Sequence, residues 1–110
     1  MEKDSYFEKV FDVTRLIPAG RVTTYGAIAD FLALGSARMV GWALNQCDLG
    51  QGDVPAHRVV NRKGELSGRI YFKPPGRMQA LLEAEGIEVE DNVIRQFEKV
   101  YWSPMELLKQ

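Results

Sequence analysis

Two short helix signals separated by a glycine-containing break occupy residues 23–46, and they limit this chain more than any other feature. Thr23 or Thr24 can cap the first, which carries Ile28, Phe31 and Leu32 on its apolar side. After a break at Leu34-Gly35, Ser36 can cap the second, about Ala37 to Gln46, with Val40, Ala43 and Leu44 facing inward. Helices this short are marginal alone, so each must bury its apolar stripe against a neighbour. A pair joined by such a turn forms the helix-turn-helix pattern. On the second helix Arg38, Trp42 and Asn45 fall at i, i+4 and i+7, sharing one face opposite Val40 and Leu44. An arginine, an aromatic ring and an amide together suit contacts with phosphates and bases. Ala37 and Gly41 leave little side chain between the helix and a partner. Glycine inside a helix costs about 1 kcal/mol relative to alanine, which implies a packing or contact reason for Gly41. Spacing alone leaves Trp42 open between the core and this outer face.

The rest of the chain supplies supporting elements. Ser5 followed by Glu8 reads as a capping box, and Phe7, Val10, Phe11, Thr14 and Ile17 then recur at helical spacing, predicting a first helix from about Ser5 to Leu16. Pro18-Ala19-Gly20 breaks it. Beyond a loop from Asp48 to Asp53, Val59-Val60 reads as a short strand, Arg62-Lys63-Gly64 as a turn and Glu65-Leu66 as a returning strand, the hairpin of a wing. After Pro74-Pro75-Gly76, Met78, Leu81, Leu82 and Glu85 lie on another helix ended by Gly86. Ile87 and Val89 alternate with acids as an extended segment, and Ser103-Pro104 with Glu106 marks a last helix start. Val93, Phe97, Tyr101 and Trp102 are assigned to packing. The expectation is one domain over residues 1–110, mainly α, a winged helix-turn-helix with a small β-hairpin.

Composition bounds the function. The longest apolar runs fall well short of the roughly 18 residues that a membrane span needs. Met1-Glu2-Lys3-Asp4 is charged and leads into a helical pattern, unlike a signal peptide. Cys47 is the single cysteine, which excludes an internal disulfide and a cysteine-rich zinc site. A cytoplasmic protein (nucleoid-associated if bacterial) without metal, cofactor or membrane partner is expected. The net charge of −1 argues weakly against nucleic acid, but its distribution reverses that impression. Residues 58–80 hold Arg58, Arg62, Lys63, Arg69, Lys73 and Arg77 against Glu65 alone, whereas residues 81–110 hold seven acids against three bases. Such segregation gives a basic face suited to a phosphate backbone, unless both stretches are simply solvated loops.

Pro55-Ala56-His57-Arg58-Val59 resembles the Pro-Cys-His-Arg-Val active-site motif of the O6-alkylguanine-DNA alkyltransferases, with alanine in place of cysteine. Three further stretches agree in order and spacing from about Phe7 to Gly86. Gly20-Arg21-Val22-Thr23-Thr24-Tyr25-Gly26-Ala27-Ile28-Ala29 resembles the family's Gly-x-Val-x-x-Tyr-x-x-[Ile/Leu]-Ala stretch. Ala37 to Leu44 is similar to its Ala-Arg-x-Val-Gly-x-Ala-[Leu/Met] recognition helix, and Leu81 to Gly86 to its late helix. The separate N-terminal domain of the full-length enzymes has no counterpart. A chain with the cysteine replaced resembles the alkyltransferase-like, non-enzymatic branch.

That resemblance implies a double-stranded DNA partner containing O6-alkylguanine, bound through the minor groove with the lesion flipped into a pocket. Arg38 resembles the arginine that fills the space left by the flipped base, and Tyr25 the tyrosine that pushes on the adjacent phosphate. Leu66-Ser67-Gly68-Arg69 resembles the segment whose arginine faces the extruded base, with Trp42 and Ala56 shaping the contact surface and the pocket. His57 and Glu85 match the enzymes' proton relay. Alanine has no lone pair with which to attack an alkyl group, so the two residues are expected to be structural. The resemblance further implies nucleotide excision repair proteins as partners, and a monomer is the simplest state. Two other readings stand beside it: residual alkyl transfer through Cys47, and a sequence-specific winged-helix regulator.

Overall fold

In a computed structural model, which describes residues 3–47, 49 and 52–109, helix α1 runs Lys3–Arg15. It therefore starts two residues before the expected cap, and Ser5 lies inside it. Val10, Val13 and Thr14 are buried along it with Ile17 buried just beyond its end, and the Thr14 hydroxyl is satisfied by donating to the Val10 carbonyl at 2.7 Å.

Helices α2 (Tyr25–Phe31) and α3 (Ala37–Leu44) form the helix-turn-helix, packed on each other and, through α3, on α1. Thr24 rather than Thr23 caps α2, its Oγ1 accepting from the Ala27 amide at 3.0 Å. The break between the helices contains Leu34-Gly35 as expected, and it turns on Ala33. Ala33 adopts the left-handed conformation (φ 57°), and the amides of Ala33 and Leu34 close back on Asp30 and Ala29 at 3.2 and 2.8 Å. That hydrogen-bond pair ends a helix in the way a glycine usually does, here at the expense of an alanine Cβ. Ser36 occupies the N-cap position of α3 but its side chain makes no capping bond, and the helix stops two residues short of Gln46. Val40, Ala43 and Leu44 are buried as expected, and the Tyr6 hydroxyl donates to the Met39 carbonyl at 2.9 Å, tying α1 to α3.

Strand β1 (Thr23–Thr24) pairs in parallel with β2 (Val59–Val60), Thr23 opposite Val59 and Thr24 opposite Val60. Val22 extends the ladder to the C-terminal segment. Its amide donates to Val100 at 2.9 Å and its carbonyl accepts from Trp102 at 2.7 Å. Val59-Val60 is therefore not one arm of a hairpin with Glu65-Leu66. The intervening turn does form: the Asn61 side-chain oxygen accepts from the amides of Lys63 and Glu65 at 3.0 and 2.9 Å. Glu65 then bridges Val93, and the Leu66 amide donates to Asn92 at 2.9 Å.

The small β-hairpin lies later, between β3 (Val89–Glu90) and β4 (Val93–Ile94). Its two-residue turn places Asp91 and Asn92 both at positive φ, 52° and 62°, as a type I′ turn requires. Helix α4 (Arg77–Ala84) ends at Gly86 (φ 87°), with the amides of Gly86 and Ile87 donating to Glu83 and Leu82 at 3.0 and 3.1 Å. A short α5 (Phe97–Val100) and a 3-10 segment (Pro104–Lys109) follow. Ser103 and Glu106 cap that segment reciprocally, Ser103 Oγ accepting from Met105 at 3.2 Å and Glu106 from Ser103 at 3.3 Å. Trp102 is buried, and the Phe97 and Tyr101 rings meet edge to face at 5.7 Å, so this end of the chain packs as expected.

Candidate nucleic-acid interface

Because Val40, Ala43 and Leu44 commit one side of α3 to the core, helical periodicity turns Arg38, Trp42 and Asn45 to the surface, and all three are exposed. Trp42 is 54% exposed, which settles its open assignment in favour of the outer face. It lines a groove of about 400 Å³ between α1 and α3 with Tyr6, Phe7, Met39, Asn45 and Gln46. A Cβ at Gly41 would meet nothing within 4 Å, so no packing among the described residues asks for glycine there.

The Thr24 cap sets Tyr25 at the first position of α2, and the Tyr25 ring reaches the turn at residues 67–71. Burial pushes the phenol pKa up, against a hydrogen bond with the Ser67 side chain that pulls it down, so Tyr25 keeps its proton at neutral pH. The next residues form a 3-10 turn (Arg69–Tyr71). Arg69 is exposed, and its Nη1 donates to the Leu66 carbonyl at 3.1 Å.

Glu85 is the hub of a second cluster. Its carboxylate accepts from His57 Nε2 at 2.7 Å, from the Gly20 amide at 2.9 Å, and from Arg58 Nε and Nη2 at 3.0 and 2.7 Å. Arg58 Nη1 also donates to the Ile17 carbonyl at 2.8 Å. Burial opposes ionisation of Glu85, but the donors from Arg58, Gly20 and His57 outweigh it and hold the carboxyl pKa at about 2. Burial likewise pushes the His57 imidazole down, more than Glu85 pulls it up, leaving it neutral at neutral pH. A neutral ring facing an ionised carboxylate must carry its proton on Nε2. The cluster thereby ties the loop before β1, the 3-10 turn Ala56–Arg58 and the end of α4 into one unit. Arg58 belongs to this unit and not to the basic face in which its charge was counted. Arg62, Lys63, Lys73 and Arg69 are exposed.

Ala56 begins the same 3-10 turn, is 4% exposed and adjoins the relay. It does not line the cavity of about 380 Å³ beside Arg69, which Leu66, Ile70, Phe72, Pro75, Gln79 and Asn92 help enclose. Cys47 follows α3, half-buried, with its Sγ donating to the Leu44 carbonyl at 3.0 Å. Two features went unread in the sequence. Arg21 clamps the C-terminal segment by donating to the Val100 and Tyr101 carbonyls, and Ser67 bonds Tyr25. The Arg21 side of the family stretch carried no local signal of a partner 79 residues away.

An exposed recognition helix, a short preceding helix and a hairpin define a winged helix-turn-helix DNA-binding domain. The chain belongs to a particular family of them: the model for the 6-O-methylguanine DNA methyltransferase DNA-binding domain matches residues 5–87. It is 34% identical over 109 residues to alkyltransferase-like protein 1 of Schizosaccharomyces pombe, covering 94% of this chain and 100% of that one. It is 37% identical over 102 residues to a DNA base-flipping protein of Vibrio parahaemolyticus, covering 92% of this chain and 99% of the relative. A crystal structure of S. pombe Atl1 in complex with damaged DNA containing O6-carboxymethylguanine superposes with a TM-score of 0.82 at 33% identity, covering 94% of this chain and 100% of that one.

Proposed function

We propose that this protein is a non-enzymatic reader of alkylated DNA. It binds duplex DNA through the minor groove with α3, rotates an O6-alkylguanine out of the stack, and holds it without accepting the alkyl group. The observation that carries this reading is Ala56. It stands at the nucleophile position of the family motif, beside a complete His57–Glu85 pair. Transfer from guanine O6 needs a thiolate or an equal nucleophile, and a methyl group offers none. The relatives named as alkyltransferase-like and base-flipping proteins, and the damaged-DNA complex, support the same reading. Within it Arg38 fills the space left by the flipped nucleotide, Tyr25 turns the adjacent phosphate, and Trp42 and Gly41 rest against the backbone. Arg69 meets the extruded ring, where a guanidinium can stack or donate to an oxygen. Flipping costs a few kcal/mol and least for a poorly paired base, which by itself favours a lesion. The persistent complex is then passed, by a monomeric protein, to nucleotide excision repair.

The test follows a labelled O6-methylguanine duplex for both binding and transfer. Binding tighter than to intact duplex, with no label on protein, is expected. Label on Cys47 would overturn the non-enzymatic assignment, and equal affinity for damaged and intact duplex would overturn the lesion assignment. Affinity that follows base sequence instead of alkylation would identify a regulator.

A further inference from the structure

The turn carrying Arg69 packs on Tyr25 more closely than a side chain at position 68 would permit. Gly68 has φ −92° and ψ 6°, a backbone conformation open to other residues, so its geometry alone does not call for glycine. A Cβ built at Gly68 would stand 2.8 Å from the Tyr25 hydroxyl, well inside van der Waals contact. The hydroxyl is hydrogen-bonded to Ser67, so a Cβ at Gly68 forces either the Tyr25 ring or the turn to shift and disturbs that bond. Gly26 and Gly41 make the contrast: a Cβ at either meets nothing within 4 Å.

The same turn fixes Arg69. Its backbone amide and its Nη1 both donate to the Leu66 carbonyl, at 3.2 and 3.1 Å, and the Tyr71 amide donates to the Gly68 carbonyl at 3.1 Å. Leu66 is fully buried and anchored to Asn92. Pushing Gly68 off Tyr25 therefore strains the short loop whose other end holds the guanidinium.

We infer that Gly68 is a positioning residue. Its missing side chain lets the Tyr25 hydroxyl seat the 66–71 turn, so one contact sets both the group that rotates the nucleotide and the group that meets the extruded base. The roles of Tyr25 and Arg69 rest on the proposed function, whereas the contact between Tyr25 and the turn does not.

Gly68→Ala is the direct test, read in two ways. The first is the ratio of affinities for O6-methylguanine and intact duplexes, which falls by about tenfold if overpacking displaces the turn. The second is amide hydrogen exchange at Arg69 and Tyr71, which quickens. The cause is isolated by repeating the substitution in the Tyr25→Phe background, where the obstructing oxygen is gone. There Gly68→Ala changes neither the ratio nor the exchange relative to Tyr25→Phe alone. An unchanged ratio and unchanged exchange in Gly68→Ala, or equal effects in both backgrounds, would overturn the inference. If Gly68→Ala does not fold, Ser67→Ala takes its place: it deletes the hydrogen bond, adds no atom, and quickens the same two amides, and no change there would overturn the inference. Wild-type protein that binds both duplexes equally would defeat the proposed function, while the exchange arm still decides the contact.

Discussion

Glu85→Gln is the perturbation that separates a structural relay from a catalytic one. The Glu85 side chain is 15% exposed, and its pKa is about 2 in the folded chain against 4.5 for the free group. A shift of that size is worth at most about 3 kcal/mol. Because the folded-state pKa is depressed, this stability is fully present above 4.5 and is lost as pH falls toward about 2. Glutamine keeps one acceptor oxygen for the donors of His57, Arg58 and Gly20, and it leaves the half-buried Arg58 without a counter-charge. The expected loss at pH 7 is about 2–4 kcal/mol. Urea unfolding followed by tryptophan fluorescence measures it, since Trp102 is buried and will report while Trp42 is already exposed. Between about pH 5 and pH 2.5 the wild-type curve should fall and the difference from Glu85→Gln should shrink. His57 acts in a higher window: its lowered pKa means that stability present above 6.5 is lost as pH falls through the imidazole range. Curves that decline in parallel below pH 5, or a variant as stable as wild type at pH 7, would refute the assignment of Glu85 as the hub.

Other outcomes follow from the recognition helix and its approach. Gly41→Ala adds a Cβ that meets nothing within 4 Å, so urea unfolding should show a gain of up to about 1 kcal/mol, while affinity for duplex DNA falls about fivefold. Gain in both would mean that no partner approaches this face. Ala33→Gly relieves a left-handed alanine, and after the greater chain entropy of glycine is counted it should raise the melting temperature by about 3–6 °C. Arg38→Ala, at an exposed position, should leave melting unchanged and weaken binding to an O6-methylguanine duplex by about tenfold in an anisotropy titration.

The helix-turn-helix was legible in the sequence because its apolar spacing and its Thr24 cap act within a few residues. The residue on which the break turns was less so. Leu34-Gly35 lies within the break, but two backbone hydrogen bonds to Ala29 and Asp30 hold Ala33 in the conformation that glycine would have taken more cheaply. The pairing of Val59-Val60 had no local trace, since its partner Thr23-Thr24 lies far upstream and parallel. The hairpin did have one: Asp91-Asn92 sits between Val89-Glu90 and Val93-Ile94, a two-residue turn of residues that tolerate positive φ. Likewise the basic count over residues 58–80 could not tell that Arg58 points into Glu85 and away from solvent.

Arg58 also changes what the alanine at position 56 implies. If His57 and Glu85 served only to take a proton from a thiol, losing the thiol would leave them without function. In this fold Glu85 holds two other elements, the 3-10 turn through His57 and Arg58 and the loop before β1 through Gly20, and Arg58 in turn holds Ile17. None of those hydrogen bonds is made by the side chain at position 56. If alanine stands in for a nucleophile, as proposed, the exchange costs the scaffold a buried sulfur and gains a buried methyl, a small change beside the loss of a salt-bridged carboxylate. The scaffold that presents Tyr25 and α3 can thus outlast the chemistry beside it, and an intact His57–Glu85 pair speaks for the fold and carries no information about transfer.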